Sequence, residues 1–193
     1  NLLINGDGMV FQRSGAITTS ADDTYHVDRW YALTQSGTCT ATQRQDAANG
    51  VPFLIRTTQS SASSQRVGAA QILEAVDSKV LRGQEVTLSG KAALSVNGTV
   101  RFAILEWTGT ADSVTSDVVS NWASATFTAG NFFLASNLTV AATGSLAVTA
   151  NTLTDYSLSA TLSGSCNNLI VLVWSDTVLT QTSTFDFRAK VER

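Results

Sequence analysis

The strongest constraint on this chain is the period of its apolar residues, which is two almost throughout. Val86, Leu88, Gly90, Ala92, Leu94 and Val96 alternate with Glu85, Thr87, Ser89, Lys91, Ala93 and Ser95. Successive side chains of a strand point to opposite faces, so this pattern predicts a long strand with one face in a core and one in water. Tyr156, Leu158, Ala160 and Leu162 repeat the pattern, as do Phe185, Phe187, Ala189 and Val191. Asn97-Gly98 follows the first strand and is a strong hairpin signal, because both residues tolerate positive φ. The expected return strand carries Val100, Phe102 and Ile104 on one face and Arg101 on the other. Further strands are expected at Trp30–Gln35, Thr38–Gln43, Phe53–Thr58, Gly68–Val76, Phe132–Val140, Leu146–Ala150 and Asn168–Trp174. Pro52 begins its strand, where a missing N–H does little harm. Roughly ten short strands separated by turn signals predict an all-β sandwich. One or two short helical turns are expected: Asp77–Leu81, ended by Gly83, and Thr115–Asn121, where Val114, Val118 and Trp122 share one helical face. With no linker, repeat or compositional break, residues 1–193 read as one domain.

The stock of chemistry is small. Charged residues are 14% of the chain, against about 25% in an average protein. Serine and threonine together number 48 against 27 charged residues, so hydroxyls do surface work that charges normally do. The net charge is −3 and the cations are scattered, so no basic stripe for a phosphate backbone is present and no nucleic-acid partner is expected. No apolar run approaches the ~18 residues of a membrane helix, so no membrane insertion is expected. The chain starts at Asn1, which fits a processed product or an excised domain.

The one histidine, His26, reads as a loop residue, and no Gly-flanked nucleophile accompanies it. Cys39 and Cys166 are far apart in sequence and read as small buried or half-buried thiols, with a disulfide left open. One histidine and two cysteines are too few for a clustered zinc site. Glycosidases need two carboxylates across a cleft. Glu74 and Glu106 fall in expected strands, but nothing in the sequence singles them out as a pair, so no enzyme is expected. Asn97-Gly98-Thr99 and Asn137-Leu138-Thr139 are sequons, relevant only in a source that glycosylates secreted proteins.

Sugars are held by stacking on aromatic rings, with amides and carboxylates reaching their hydroxyls. Trp30, Phe102, Phe185, Phe187 and Trp174 fit core positions. Trp122 sits in a segment rich in loop residues beside Asn121. Tyr25 lies in a polar stretch, and Trp107 ends a strand next to Gly109. These three aromatics are the candidate platform, with Asp112, Asn121 and Gln71 as partners for hydroxyls.

The opening Asn1-Leu2-Leu3-Ile4-Asn5-Gly6-Asp7 resembles the start of jelly-roll carbohydrate-binding modules. It looks still more like a group of bacteriophage and phage-like particle proteins that serve as tail fibres, head fibres or host-recognition spikes. Gln12-Arg13-Ser14-Gly15, Asp28-Arg29-Trp30, Gln71-Ile72-Leu73-Glu74 and Leu81-Arg82-Gly83 match that group. So do Trp107-Thr108-Gly109-Thr110-Ala111-Asp112, Thr128-Ala129-Gly130-Asn131-Phe132-Phe133, Asn167-Asn168-Leu169-Ile170-Val171 and Phe187-Arg188-Ala189-Lys190-Val191-Glu192. Gly8 stands where the group has an aromatic, and Ser14 interrupts its Gln-Arg-Gly element. The resemblance implies a jelly-roll sandwich on the surface of a virion or phage-like particle. It implies a non-catalytic module that binds host cell-surface polysaccharide, contacts other virion proteins and forms a homotrimer. A purely structural decoration or adaptor domain, or a carbohydrate-binding module of a secreted enzyme, are the alternatives. The carbohydrate-binding modules imply no required cofactor, but a structural Ca²⁺ near the opening turn, for which Asp7 and Asp186 are the oxygen donors. Asn5-Gly6-Asp7-Gly8 reads as a turn. Asp28 and Arg29 read as a charge-assisted tie between the first loop and the sheet, and Arg13 as an anchor to a neighbouring strand.

Overall fold

The computed structural model describes residues 1–12, 18–119, 122 and 136–193. Among the described residues, twelve strands form two antiparallel six-stranded sheets, a jelly-roll sandwich with very little helix. The first sheet has β1 (Thr18–Ser20), β4 (Cys39–Asp46), β5 (Val51–Gln59), β12 (Thr184–Glu192), β7 (Glu85–Leu94) and β10 (Thr154–Thr161), in that spatial order. The second has β2 (Thr24–Val27), β3 (Trp30–Thr34), β6 (Val67–Ile72), β11 (Asn168–Ser175), β8 (Gly98–Trp107) and β9 (Leu138–Val148). A short helix, α1 (Ala75–Lys79), and one 3-10 turn, Ala47–Asn49, complete the regular elements among the described residues.

The alternating segments become half-buried strands, as expected. Leu88 and Ala92 of β7, Phe187, Ala189 and Val191 of β12, and Tyr156 of β10 meet Val100, Phe102, Ile104 and Val173 of the opposite sheet. Trp30, fully buried, sets its ring edge against Phe187 with centroids 5.2 Å apart. Gly90 shares this inner face, and a side chain there has no room. An added Cβ would lie 1.9 Å from the Arg188 carbonyl oxygen and 2.8 Å from the Tyr156 hydroxyl. Gly90→Ala is therefore expected to cost about 1–3 kcal/mol, seen as a lower urea midpoint with an unchanged slope.

The continuous apolar run Leu169–Trp174 has a different cause. All eight residues of β11 are buried, because its sheet is covered on both faces. One face meets the first sheet. The other carries Leu33, Ala70, Ala103, Leu105, Ile170, Leu172 and Trp174, and the segment after β8 packs Val118, Val119 and Trp122 against it. A strand covered on both faces has no polar side to alternate with.

Several local expectations give way to tertiary context. Asn97-Gly98 joins β7 to β8, which lie in different sheets, so it is a crossing between layers and no hairpin. Neither residue adopts positive φ. Gly98 is small for another reason: a Cβ there would meet the Thr177 hydroxyl at 2.3 Å. The two strands separate because Leu94 on one side and Val100 and Phe102 on the other are needed in one core between the sheets. The strand expected over Gly68–Val76 stops at Ile72. The helical turn expected at Asp77–Leu81 does form, starting two residues earlier as α1, and a turn leads from it to Gly83 at φ 69°. Residues 115–119 are not helical; Val114 and Val118 share a face because both lie on the sheet. Leu138–Val148 is a single strand that joins parts of two expected ones. Residues 132–135 of the expected Phe132–Val140 strand, and Arg13, fall outside the described residues. His26 is a strand residue of β2 and fully buried: Nε2 lies 2.8 Å from the Thr57 hydroxyl, and Nδ1 4.0 Å from the Cys39 thiol. Cys39 and Cys166 are both buried free thiols. Burial pushes them up to about 12 and about 11 respectively, so both stay protonated.

The opening turn forms as expected, with the Gly8 N–H donating to the Asn5 carbonyl at 3.2 Å. It is pinned to the last strand by the Ala189 N–H, which donates to the Gly6 carbonyl at 2.7 Å. No helix among the described residues is long and apolar enough to cross a membrane.

Candidate functional site

A cleft of about 330 Å³ opens at the β2–β3–β6 side of the second sheet. Its aromatic wall is a cross-strand pair. The β2–β3 register sets Tyr25 opposite Tyr31, and the rings stack with centroids 4.3 Å apart and planes 21° from parallel. The Tyr31 hydroxyl donates to that of Tyr25 at 2.9 Å. Burial, with the neighbouring Tyr25 hydroxyl, pushes the Tyr31 phenol up to about 12, so it remains a neutral donor. Tyr25 is 37% exposed and Tyr31 is half-buried beneath it, so one ring backs the other as a platform.

The polar walls come from three separate segments. Arg29, in the tight β2–β3 connection at φ 72°, donates from Nη2 to Glu74 Oε1 at 3.0 Å. Both side chains are well exposed, so this pair adds little stability and leaves donors and acceptors facing the cleft. Asp112 follows β8 at φ 59°. Its Oδ1 accepts from the Ala75 N–H and from Asn168 Nδ2, each at 2.8 Å. Its own N–H donates to Asn168 Oδ1 at 3.0 Å. The Asn168 amide, and then the Ala75 N–H, hold the Asp112 carboxyl below the usual carboxylate range, so it is ionised near neutrality. Asn168 also donates to the Leu73 carbonyl at 2.9 Å and is buried, which fixes three segments at one point. Ile72 and Val114 supply apolar surface to the cleft. The arrangement offers a ring face for stacking, two carboxylates to accept from hydroxyls and a guanidinium to donate to them.

Of the residues expected to hold a ligand, Tyr25 and Asp112 line this cleft. The two tryptophans do not. Trp107 is buried, its Nε1 donates to the Thr110 carbonyl at 2.8 Å, and Gly109 lies against the ring. Trp122 is buried on the outer face of the second sheet, and its carbonyl accepts from Arg66 Nη1 at 2.8 Å. Their segments are polar in sequence, but the rings serve to cover Leu33, Ile170 and Leu172. Asn121 lies outside the described residues. Gln71 is buried with both ends of its amide spent on the Ile4 backbone at 2.8 Å. Asp28 ties the first segment down, accepting from the Gln12 N–H at 2.8 Å, while its neighbour Arg29 belongs to the cleft.

Glu74 and Glu106 are not brought together. Glu106 alternates with Leu105 and Trp107, which face outward, so it lies on the core side of β8. There it is buried, with the Ser163 hydroxyl and N–H donating to it. The calcium donors also fail the fit. Asp186 is 2% exposed and bonded by both Arg44 and Arg56, the latter from Nε at 2.7 Å and Nη2 at 2.9 Å. A carboxylate already neutralised by two guanidiniums is a poor cation ligand. Asp7 Oδ1 accepts from the Met9 N–H at 3.2 Å. No group of three or more His, Cys, Asp or Glu side chains among the described residues is placed to hold a metal.

Sequence inspection missed Tyr31, Arg29, Glu74 and Asn168 as members of the site. The signal for Tyr31 was present: a tight reversal at Val27–Trp30 sets residues 25 and 31 face to face.

No protein-family model and no curated protein matches this chain. Solved structures do. A putative sugar binding protein from Bacteroides thetaiotaomicron superposes over 100% of this chain and 99% of its own, with a TM-score of 0.55 and 12% identity. The CBM61 module solved with β-1,4-galactotriose covers 100% of this chain and 98% of its own, with a TM-score of 0.51 and 8% identity. The enzymatically active domain of bacteriophage CBA120 tailspike protein 4 covers 99% of this chain, with a TM-score of 0.53 and 13% identity. This chain spans about a fifth (21%) of that tailspike chain. At such identities the likeness is one of fold: the chain has the jelly-roll architecture of carbohydrate-binding modules.

Proposed function

We propose that this chain is a non-catalytic module that binds carbohydrate in the Tyr25–Tyr31 cleft. The observation that carries this reading is the stacked, solvent-facing tyrosine pair flanked by Arg29, Glu74 and Asp112 in one cleft. Rings backed by rings are stiff, so stacking a sugar on them sacrifices little side-chain freedom. The shared fold supports the reading, since one neighbour is a putative sugar binding protein and another was solved with a galactotriose. Binding without turnover fits the carboxylates: Glu74 pairs with Arg29, and Glu106 is buried on the other side of the sheet.

The setting we favour is the surface of a phage or phage-like particle, in a tail fibre or spike that meets host cell-surface polysaccharide beside other virion proteins. The likeness to a bacteriophage tailspike domain supports this setting. In this reading residues 1–193 act as one module, and three copies assemble. A module attached to a secreted enzyme is the second reading, favoured by the neighbours that are carbohydrate-binding modules.

Tyr25→Ala is expected to weaken binding to a glycan identified on a glycan array by about tenfold or more, about 1.4 kcal/mol. Its melting temperature should fall by no more than about 2–4 °C, since the folded state loses one cross-strand stack on an edge strand. Calorimetric titration checks this. Full binding by the variant, or release of reducing ends from the bound glycan by the unmodified protein, would refute the reading.

A further inference from the structure

The first sheet carries a second depression on its outer face, with the opposite electrical character. Phe187, Ala189 and Val191 face the core, so Arg188 and Lys190 project outward from β12. Ala92 faces the core, so Lys91 projects outward from β7. The register sets Lys91 directly opposite Arg188 and Lys190 opposite Ser89. Three cations thus form a triangle on two adjoining strands of a chain that has only 12 cations and a net charge of −3. Like charges facing each other across an antiparallel pair are destabilising, and broken local rules of this kind concentrate at functional or strained sites.

The neighbouring acids do not resolve it. Asp155 of β10 holds Lys91 at 2.7 Å, and Glu192 holds Lys190 at 2.9 Å. Both acids are mostly exposed, at 78% and 51% of the side chain, so these pairs are weak and exchange readily. Asp7, on the far wall, spends Oδ1 on the Met9 N–H. Arg188 stands between them. Among the described residues no carboxylate lies within 4.0 Å of its guanidinium, and none of them bonds to its side chain. Its backbone is fixed from beneath, because the Tyr156 hydroxyl donates to the Arg188 carbonyl at 3.0 Å across Gly90. The cavity over these residues measures about 530 Å³.

We propose that this depression is a second binding site, which takes a carboxylate or sulfate group carried on a saccharide. Arg188 receives the oxyanion through its planar fork of donors, and Lys91 and Lys190 swing from their exposed acids to complete its neutralisation. The surroundings favour a saccharide over a protein partner. Hydroxyls of Thr87, Ser89 and Ser159 lie along the adjoining strand surface, and none of the large exposed apolar side chains lines the cavity. A protein interface is normally built around an apolar centre. The site lies on the sheet opposite to the tyrosine cleft and does not depend on it.

The test is a calorimetric titration with a uronic-acid oligosaccharide, a sulfated oligosaccharide and a neutral oligosaccharide of equal length, with inorganic sulfate as a fourth arm. The acidic saccharides should bind, and raising NaCl from about 50 to about 500 mM should weaken them strongly. Arg188→Gln should weaken them by about tenfold or more, and Lys91→Gln by less. Tyr25→Ala should leave acidic binding unchanged, which separates the two sites. Absence of acidic binding, full binding by Arg188→Gln, or equal loss in Tyr25→Ala would overturn the proposal. Inorganic sulfate binding as tightly as the saccharides would overturn the saccharide assignment. None of these outcomes bears on neutral glycans in the tyrosine cleft.

Discussion

Asp186→Ala is expected to lower folding stability by about 3–5 kcal/mol. The native carboxylate is almost fully buried on β12, bonded by Arg44 from β4 and Arg56 from β5, and so joins three adjacent strands of the first sheet. Its hydrogen bonds to Arg56 raise that guanidinium's affinity for its proton further. Removal leaves two partly buried guanidiniums facing each other, Arg56 without its carboxylate and Arg44 with only the longer contact to Asp46 at 3.9 Å. The loss therefore exceeds that of any single hydrogen bond, worth about 0.5–1.5 kcal/mol. Chemical denaturation measures it. A triple variant that replaces Asp186 by leucine and both arginines by methionine should recover most of the loss, since apolar residues of similar volume often substitute well for a buried ion cluster. A loss below about 1 kcal/mol in Asp186→Ala would show that the cluster is solvent-screened, like an ordinary surface pair.

Acidification should expose the cost of burying His26. Burial lowers its imidazole from the usual 6.5 to about 4. The folded form therefore holds it neutral where the unfolded chain takes up a proton. In that range the unfolded state binds more protons, so stability rises with pH and is lost as pH falls from about 6.5 toward about 4. The full effect is about 3 kcal/mol, with about 2 kcal/mol already gone by pH 5, above most carboxylate titration. Denaturation midpoints between about pH 7 and pH 5 read this slope. His26→Gln, which keeps a hydrogen-bonding group near Thr57, should flatten it. An equal slope in that variant would assign the pH dependence to other groups.

The fold was legible wherever one physical cause acted alone. β7, β10 and β12 each have one wet and one dry face, so their alternation reads directly. β11 was legible as a strand from its apolar run, though the run alone did not say that both faces are covered. β1 and β2 were missed because they are short and polar, and β2 pairs through an irregular register. Asn97-Gly98 misled because local turn preference yields to the need to share a core between two sheets. In the site, Tyr25 and Asp112 stood out as polar-segment residues. Tyr31 did not, because its neighbours Trp30, Ala32 and Leu33 marked the whole strand as core. Trp107 and Trp122 were misread for a related reason: sequence shows the polarity of a ring's neighbours in the chain, while burial depends on neighbours in space.

The place of β12 also shapes how the molecule is made. The last of the twelve strands sits inside its sheet, between β5 and β7. Until the ribosome has released it, both flanking strands present bare hydrogen-bonding edges, and the sandwich lacks Phe185, Phe187 and Val191 from its centre. Such edges invite pairing with other chains. Folding therefore completes only after synthesis of this strand, and a nascent chain stalled just short of it would be an aggregation hazard.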